Sequence, residues 1–250
     1  MSDYITGGWT QDLSARAPAA FSQAIYGMVT NLQELKTGAP GGNGWSPANT
    51  APPAQASAAT RVRWAYGGQY CTPQGMPSNS ADVAAIVTAS AVWAGVDVDD
   101  ECAMNTDQIT AAMSALKQAG KDTSYTFIAG WAYNNPDASG GDPATNAAVQ
   151  GLAAAGVCDR FMLMCYGDQM WSMGDIVANV GPAIARTVQH VGDPKKVILA
   201  LTPDGLTPEN RDYFLDRVVS NGLGGLFVWE WPRLSGADLY VIEQRLGITA

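Results

Sequence analysis

Hydrophobic positions in this chain follow two rhythms: short apolar runs, and longer stretches with a helical period. The runs predict strands over Tyr4–Trp9, Ala24–Thr30, Val62–Gly67, Gly95–Asp99, Tyr125–Trp131, Arg160–Tyr166, Lys196–Thr202 and Gly225–Trp231. The periodic stretches predict helices over Ser80–Trp93, Asp107–Ala119, Pro143–Ala155, Ser172–Val191, Pro208–Asn221 and Ser235–Leu246. Five of these helices end at a glycine (Gly120, Gly156, Gly192, Gly222, Gly247), the expected stop signal. The first two units are the weakest, because residues 10–23 make a poor helix and 36–60 is rich in Gly, Pro and Ala with no clear period. Strands alternating with helices imply a parallel sheet with right-handed crossovers. Eight such units in 250 residues predict an α/β fold, a single (β/α)8 barrel with one domain spanning 1–250.

The fourth strand breaks the apolar rule. In Ala94-Gly95-Val96-Asp97-Val98-Asp99-Asp100-Glu101, three acids fall at alternate positions. Side chains alternate faces along a strand, so Asp97, Asp99 and Glu101 share one face while Val96 and Val98 take the other. Burying a column of carboxylates is expensive, and close carboxylates raise one another's pKa, which keeps a general acid protonated at neutral pH. An exposed edge strand, a turn or a calcium loop are the other readings. Calcium loops space their ligands through Gly-rich turns, and the valines argue against a turn. Active sites of such barrels lie at the C-terminal ends of the strands, where Glu101, Tyr166 and Trp229 fall, with Trp9, Trp131 and Tyr133 at comparable ends. Acids in a mouth rimmed by aromatic faces suit a sugar, whose C–H faces pack on rings. The plainer alternative is that the aromatics fill the barrel.

Charge narrows the partners. A formal net charge of −9 disfavours nucleic acid and anionic membranes, and no apolar run reaches the about 20 residues of a membrane span. The start, Met1-Ser2-Asp3-Tyr4, lacks the basic and apolar regions of a cleaved signal. The protein is therefore expected in the cytoplasm, exported by another route, or as a chain beginning at its mature domain. Cys71, Cys102, Cys158 and Cys165 show no metal-binding spacing. A Cys71–Cys102 disulfide and four buried thiols both remain open. One histidine, His190, removes most zinc sites and the common Ser-His-Asp arrangement, and it reads as an ordinary helix-end residue.

The fourth-strand segment resembles the Asp-Gly-x-Asp-x-Asp-x-Glu signature of glycoside hydrolase family 18, the chitinases and endo-β-N-acetylglucosaminidases, with only the first Asp missing. Its Asp-Asp-Glu ending resembles the endoglycosidase H-type branch more than the chitinases. Ala65-Tyr66-Gly67-Gly68 resembles the Ser-x-Gly-Gly of strand three, and Met164-Cys165-Tyr166 the Met-x-Tyr of strand six. Lys196–Leu201 resembles the strand-seven pattern, and Gly224–Glu230 the strand-eight pattern ending in Trp. Three departures matter: Ala94 for an acid, Ala65 for the strand-three serine, and Asp168 separated from Tyr166 by Gly167.

The resemblance implies a retaining glycosidase in which the substrate assists, an exception to the two-carboxylate rule. The 2-acetamido oxygen attacks C1 and gives an oxazolinium ion. Glu101 protonates the leaving oxygen and then deprotonates water; Asp99 orients the acetamide; Asp97 shares a proton with Asp99 and tunes it; Tyr166 hydrogen-bonds the acetamide oxygen. Trp229 floors the sugar, and Tyr66, Trp131, Trp45 and Asp168 are the further substrate-binding candidates. No metal or organic cofactor is implied, the partner is an N-acetylglucosamine-containing glycan, and a monomer is expected. A catalytically silent carbohydrate-binding barrel is the alternative, although loss of activity usually shows as replacement of the Glu, retained here as Glu101. An unrelated barrel enzyme whose acids bind a metal is a third, separable by EDTA sensitivity. The short link between strands seven and eight favours a shallow cleft and endo action.

Overall fold

A computed structural model of the chain describes residues 3–29, 50–68, 71, 92–128, 142–167 and 169–248. The apolar runs become β1 (Ile5–Thr10), β2 (Gln23–Val29), β3 (Arg61–Gly67), β4 (Gly95–Asp100), β5 (Asp122–Ile128), β6 (Arg160–Met164), β7 (Val197–Leu201) and β8 (Gly225–Trp229). These strands pair in parallel, each with the next, and β1 closes on β8 to complete a barrel. The expected (β/α)8 architecture is the one observed. No helix among the described residues is long and apolar enough to cross a membrane.

The helices between strands start and stop where local chemistry dictates. They are α1 (Thr106–Gln118), α2 (Pro143–Ala155), α3 (Gly181–Val191), α4 (Pro208–Ser220) and α5 (Gly236–Leu246). Asn105, Asp142, Thr207 and Ser235 cap the N-termini of α1, α2, α4 and α5 by accepting a backbone N–H in the first turn. Gly156, Gly192 and Gly247 end α2, α3 and α5 in the left-handed conformation. The helix expected over Ser172–Val191 is broken into a turn at Met173–Asp175, a π-helical stretch at Ile176–Val180, and α3. The physical reason is Pro182, which has no N–H for the regular ladder, so the Gly181 N–H reaches back to Ile176 instead. The helix expected over Ser80–Trp93 lies almost entirely outside the described residues. The poor helix at 10–23 is a set of turns that bury Ala17 and Phe21. From residue 50 the Gly/Pro-rich segment packs back on the wall, where the Gln55 side chain pairs with the Tyr26 hydroxyl and accepts the Ala17 N–H.

Register divides the barrel interior in two. Partners in neighbouring strands share a face, so the pairs Ala65–Asp97, Asp97–Ser124 and Asp99–Thr126 all point inward. Gln23 and Arg63 join them, making the β2–β5 half of the interior polar, whereas Met162, Met164, Ile198, Ala200 and Phe227 make the β6–β8 half apolar. Outside, Trp64, Trp93, Tyr26 and Trp231 form a chain of ring contacts against the wall, edge-to-face at Trp64–Trp93 and Tyr26–Trp231 and tilted at Tyr26–Trp93.

The Gly67-Gly68 pair sits where β3 crosses the end of β4. Gly67 has φ +106°, and a Cβ there would stand 2.0 Å from the Asp99 carbonyl oxygen. That same oxygen accepts the Gly68 N–H at 2.8 Å. The two strands thus close to backbone contact at the acid column. Gly67→Ala is expected to cost at least about 2 kcal/mol, from the positive φ and the displaced carbonyl together, read from the urea midpoint. A midpoint equal to that of the parent protein would refute this account of the glycine pair.

Candidate active site

The acid column rises along β4 from the barrel centre to its C-terminal mouth. Asp97 is fully enclosed, Asp99 is 5% exposed, and Glu101, just beyond the strand, is half-buried. Asp97 Oδ2 accepts the Trp9 indole N–H at 2.8 Å; Oδ1 accepts a short hydrogen bond from Ser124; and the Thr126 hydroxyl lies 3.0 and 2.9 Å from the two oxygens. Burial raises the Asp97 carboxyl above the usual range, while the charge of Arg63 and these three donors pull it back. Asp99 has no such support, and its Oδ1 is buried without a partner. Burial, then the charges of Glu101, Asp97 and Asp100, push Asp99 well above the ordinary carboxyl range. The two carboxyls therefore differ in surroundings: the Asp97 anion is met by three donors and a nearby positive charge, while the Asp99 anion meets burial and further negative charge. Asp97 acts on Asp99 through its field, since its own oxygens are engaged by Trp9, Ser124 and Thr126.

Tyr166 follows β6 and makes an isolated bridge to Met170. It is buried, and its hydroxyl is raised well above 10 by burial and by the charges of Asp99 and Glu101. The phenol stays a hydrogen-bond donor at any physiological pH, beside both acids. Trp229 ends β8, inward-facing and partly exposed, paired in register with Trp9. The next residue, Glu230, follows a cis peptide bond and accepts from the Thr10 hydroxyl and the Gln11 N–H, tying the end of β8 to that of β1.

Other sequence candidates are placed differently. Tyr66 pairs with Val98 and so shares its outward, helix-facing side, fully buried and off the inner face of the mouth. Trp45, Trp131 and Asp168 lie outside the described residues. Asp100 also points outward: it accepts the Tyr125 hydroxyl at 2.8 Å and the Met104 N–H at 2.9 Å, fixing the turn after β4. Cys71 and Cys102 form a disulfide with Cα atoms 5.8 Å apart, while Cys158 and Cys165 are buried thiols. Burial raises both thiols, Cys158 to about 12, so neither is a nucleophile at neutral pH. His190 sits in the last turn of α3, facing a groove with Asp142, Asn146 and Arg186.

Sequence reasoning missed the groups that hold Asp97, namely Arg63, Ser124, Thr126 and the indole N–H of Trp9. A signal was present. Asp122, Ser124 and Thr126 alternate along β5, and Arg61 and Arg63 alternate along β3, so both strands carry polar residues on the inner face near the acids. That polarity also explains why the strand expected from Tyr125 begins at Asp122.

Neither a protein-family profile nor a curated protein sequence matches the chain. Solved structures do. A GH18 chitinase from Pseudoalteromonas aurantia superposes with a TM-score of 0.57 at 14% identity, covering 90% of this chain and 93% of that one. A putative chitinase A from Streptomyces coelicolor gives 0.62 at 14% identity, covering 98% and 99%. The spore cortex-lytic enzyme of Bacillus megaterium gives 0.64 at 8% identity, covering 97% of this chain and 73% of that one. The closed barrel described above is thus the fold of glycoside hydrolase family 18 chitinases.

Proposed function

We propose that this protein hydrolyses β-1,4 links at N-acetylglucosamine, acting within a chain and with assistance from the substrate's own acetamide. The observation that carries this reading is the split acid column: an Asp97 anchored by donors, an Asp99 pushed well above the ordinary carboxyl range and a half-buried Glu101, with the Tyr166 phenol feeling the charges of the outer two. Two carboxyls of unlike protonation at a barrel mouth suit acid chemistry on a glycosidic oxygen. Glu101 delivers a proton to the leaving oxygen and later takes one from the attacking water. Asp99 orients the acetamide and stabilises the oxazolinium charge, which exists only after the acetamide oxygen has attacked C1. The Tyr166 phenol donates to that oxygen in the attacking pose, and Trp229 lies under the sugar.

The neighbours' names support a polymer of N-acetylglucosamine in general, since they span chitinases and a cortex-lytic enzyme. The connection from β7 to β8 holds α4 and no further lobe, which supports an open cleft and endo action. Trp131, Trp45 and Asp168 follow β5, β2 and β6 in the chain and are proposed as further sugar contacts on this face. Mass spectrometry of products from chitotetraose, a high-mannose glycoprotein and a peptidoglycan digest identifies the polymer. No product from any of them would leave the silent carbohydrate-binding barrel as the better account.

Glu101→Gln is expected to lower turnover of a chromogenic chito-oligosaccharide by about three orders of magnitude, because a poor leaving group needs the proton. Folding is expected to be unchanged, since the amide has the same shape. Unchanged turnover removes Glu101 from the acid role.

A second expectation concerns pH. Asp99 and Asp97 bind protons more tightly in the folded than in the unfolded chain, where an Asp titrates near 3.8. Stability therefore falls as pH rises from above about 4 through their raised folded values, as these buried groups are forced to ionise. His190, lowered by burial and by Arg186, has the opposite slope, but it is common to parent and variant and cancels in their difference. Asp99→Asn is expected to flatten the fall in thermal midpoint between about pH 5 and 8, while lowering turnover and sparing much of substrate binding, because its charge is needed only when the oxazolinium forms. Parallel midpoint curves for the two proteins would show that Asp99 is not the group holding the proton.

A further inference from the structure

Inside the polar half of the barrel lies a positive charge that the chemistry above leaves unused. Arg63 is 1% exposed and sits on β3 two residues before Ala65, the partner of Asp97. Nη1 donates to Gln23 Oε1 at 2.8 Å, and Nη2 donates to the Val96 carbonyl at 2.9 Å and to Ser124 Oγ at 2.6 Å. Nε is buried without a partner. Burying such a group costs several kcal/mol unless an opposite charge lies nearby. Among the described residues no carboxylate touches it directly, and the anion it faces is Asp97, one hydroxyl away.

The polarity of that hydroxyl is forced. A guanidinium only donates, so Ser124 Oγ accepts from Arg63 and has a single hydrogen left, which it gives to Asp97 Oδ1. At the other oxygen stands the Trp9 indole, which also can only donate. A carboxyl proton along either of these two hydrogen bonds would point at another hydrogen, which leaves the Thr126 hydroxyl as its one acceptor among these three partners. Two forced donors, one on each oxygen, favour the ionised form, which accepts most strongly at both. The position on β3 from which a serine could have served Asp97 is Ala65, which has no hydroxyl; β5 supplies Ser124 and Thr126 in its place, and Arg63 orients the first.

We propose that Arg63, acting through Ser124, is the positioning residue that locks Asp97 as an anion and so leaves the resting proton on Asp99. For its catalytic consequence this rests on the assisted-hydrolysis reading; for its geometry it does not. With Asp97 fixed as the anion, the proton sits on the carboxyl that meets the acetamide, and the field behind that carboxyl favours the positive charge of an oxazolinium. Without Arg63, the fully enclosed Asp97 would take the proton itself. Around Asp97 the ionisable groups are Arg63, Asp99, Cys158 and Tyr166, and around Arg63 they are Asp97, Asp122, Cys158 and Asp159. Among them Arg63 leads the influences that lower Asp97.

The test is carbon-13 NMR titration of the full chain labelled at its aspartate carboxyls, with the Asp97 signal assigned by its loss in Asp97→Asn. Arg63→Met is expected to raise the Asp97 midpoint by at least about one pH unit, a tenfold change in proton affinity. Arg63→Lys, which keeps the charge and loses the fork, is expected to raise it less. If the protein hydrolyses the chromogenic chito-oligosaccharide, the acidic limb of kcat in Arg63→Met moves to higher pH with the midpoint, which a packing role would not produce. The titration needs no substrate, so an inactive protein refutes the proposed function and leaves the Arg63 assignment to be decided by the midpoint. A midpoint unmoved or lowered in Arg63→Met overturns the proposal. Should Arg63→Met fail to fold, the double variant with Asp97→Asn removes both charges and is expected to recover the stability of Asp97→Asn alone. A double variant no more stable than Arg63→Met overturns the proposal equally.

Discussion

Asp97 and Asp99 stand on the same inward face of one strand, both buried in a closed barrel, and the site is organised by the cost of ionising both. Alternate strand positions lie about 6.6 Å apart, and at an effective dielectric near 20 two like charges at that spacing repel by about 2.5 kcal/mol. That is enough to hold a proton on one carboxyl across roughly two pH units. Which carboxyl holds it is decided by the surroundings. Asp97 is met by the Trp9 indole, the Ser124 and Thr126 hydroxyls and the charge of Arg63, while Asp99 has burial and more negative charge. The asymmetry is built from other strands, with Trp9 from β1, Arg63 from β3, and Ser124 and Thr126 from β5.

This arrangement shapes the rest of the barrel. A parallel barrel normally packs its interior with branched apolar side chains. Here the β6–β8 side is apolar, with Met162, Met164, Ile198 and Phe227, while the β2–β5 side carries an arginine, a glutamine and hydroxyls around the acids beside Ile25. Stability is recovered outside the strands, where Trp64, Trp93, Tyr26 and Trp231 bury large aromatic surface against the wall. Polar groups buried for function are thus offset by aromatic packing on the opposite face of the same strands: Arg63 points in and Trp64 points out, one residue apart.

Periodicity made the strand count and the barrel legible, because parallel strands buried on both faces read as apolar runs. The acid column was legible because strand alternation is strict, so Asp97, Asp99 and Glu101 had to share a face. The same alternation, applied to Ala65-Tyr66-Gly67, puts Tyr66 on the outer side, and the family likeness of that segment drew attention to the tyrosine when the glycine was the residue in contact with β4. The anchors of Asp97 were harder to see, since a lone Arg63 or Ser124 carries no motif and becomes informative only once register sets it beside the acids. The disulfide was undecidable from spacing alone, because Cys71 and Cys102 meet only when β3 and β4 have paired. Ser172–Val191 misled by its helical period, which does not report that Pro182 removes a rung.

The outward side of β4 does as much for Glu101 as the inward side does for Asp99. Glu101 lies one residue beyond β4, and the general-acid role proposed for it requires a position held to within a fraction of an ångström. Three features converge on that turn. Asp100, turned away from the site, ties down the N–H of Met104 and is itself gripped by the Tyr125 phenol. Cys102, the residue after the acid, is bonded to Cys71 beyond the end of β3. Gly67 and Gly68 bring β3 against the Asp99 carbonyl, so the anchor on the far side of the disulfide is itself attached to β4. Glu101 is therefore the one member of the column whose position depends on a loop, and that loop is closed into a ring of backbone contact, covalent bond and hydrogen bonds around it. The partial exposure that the proposed proton delivery calls for is thus combined with a turn tied down on both sides.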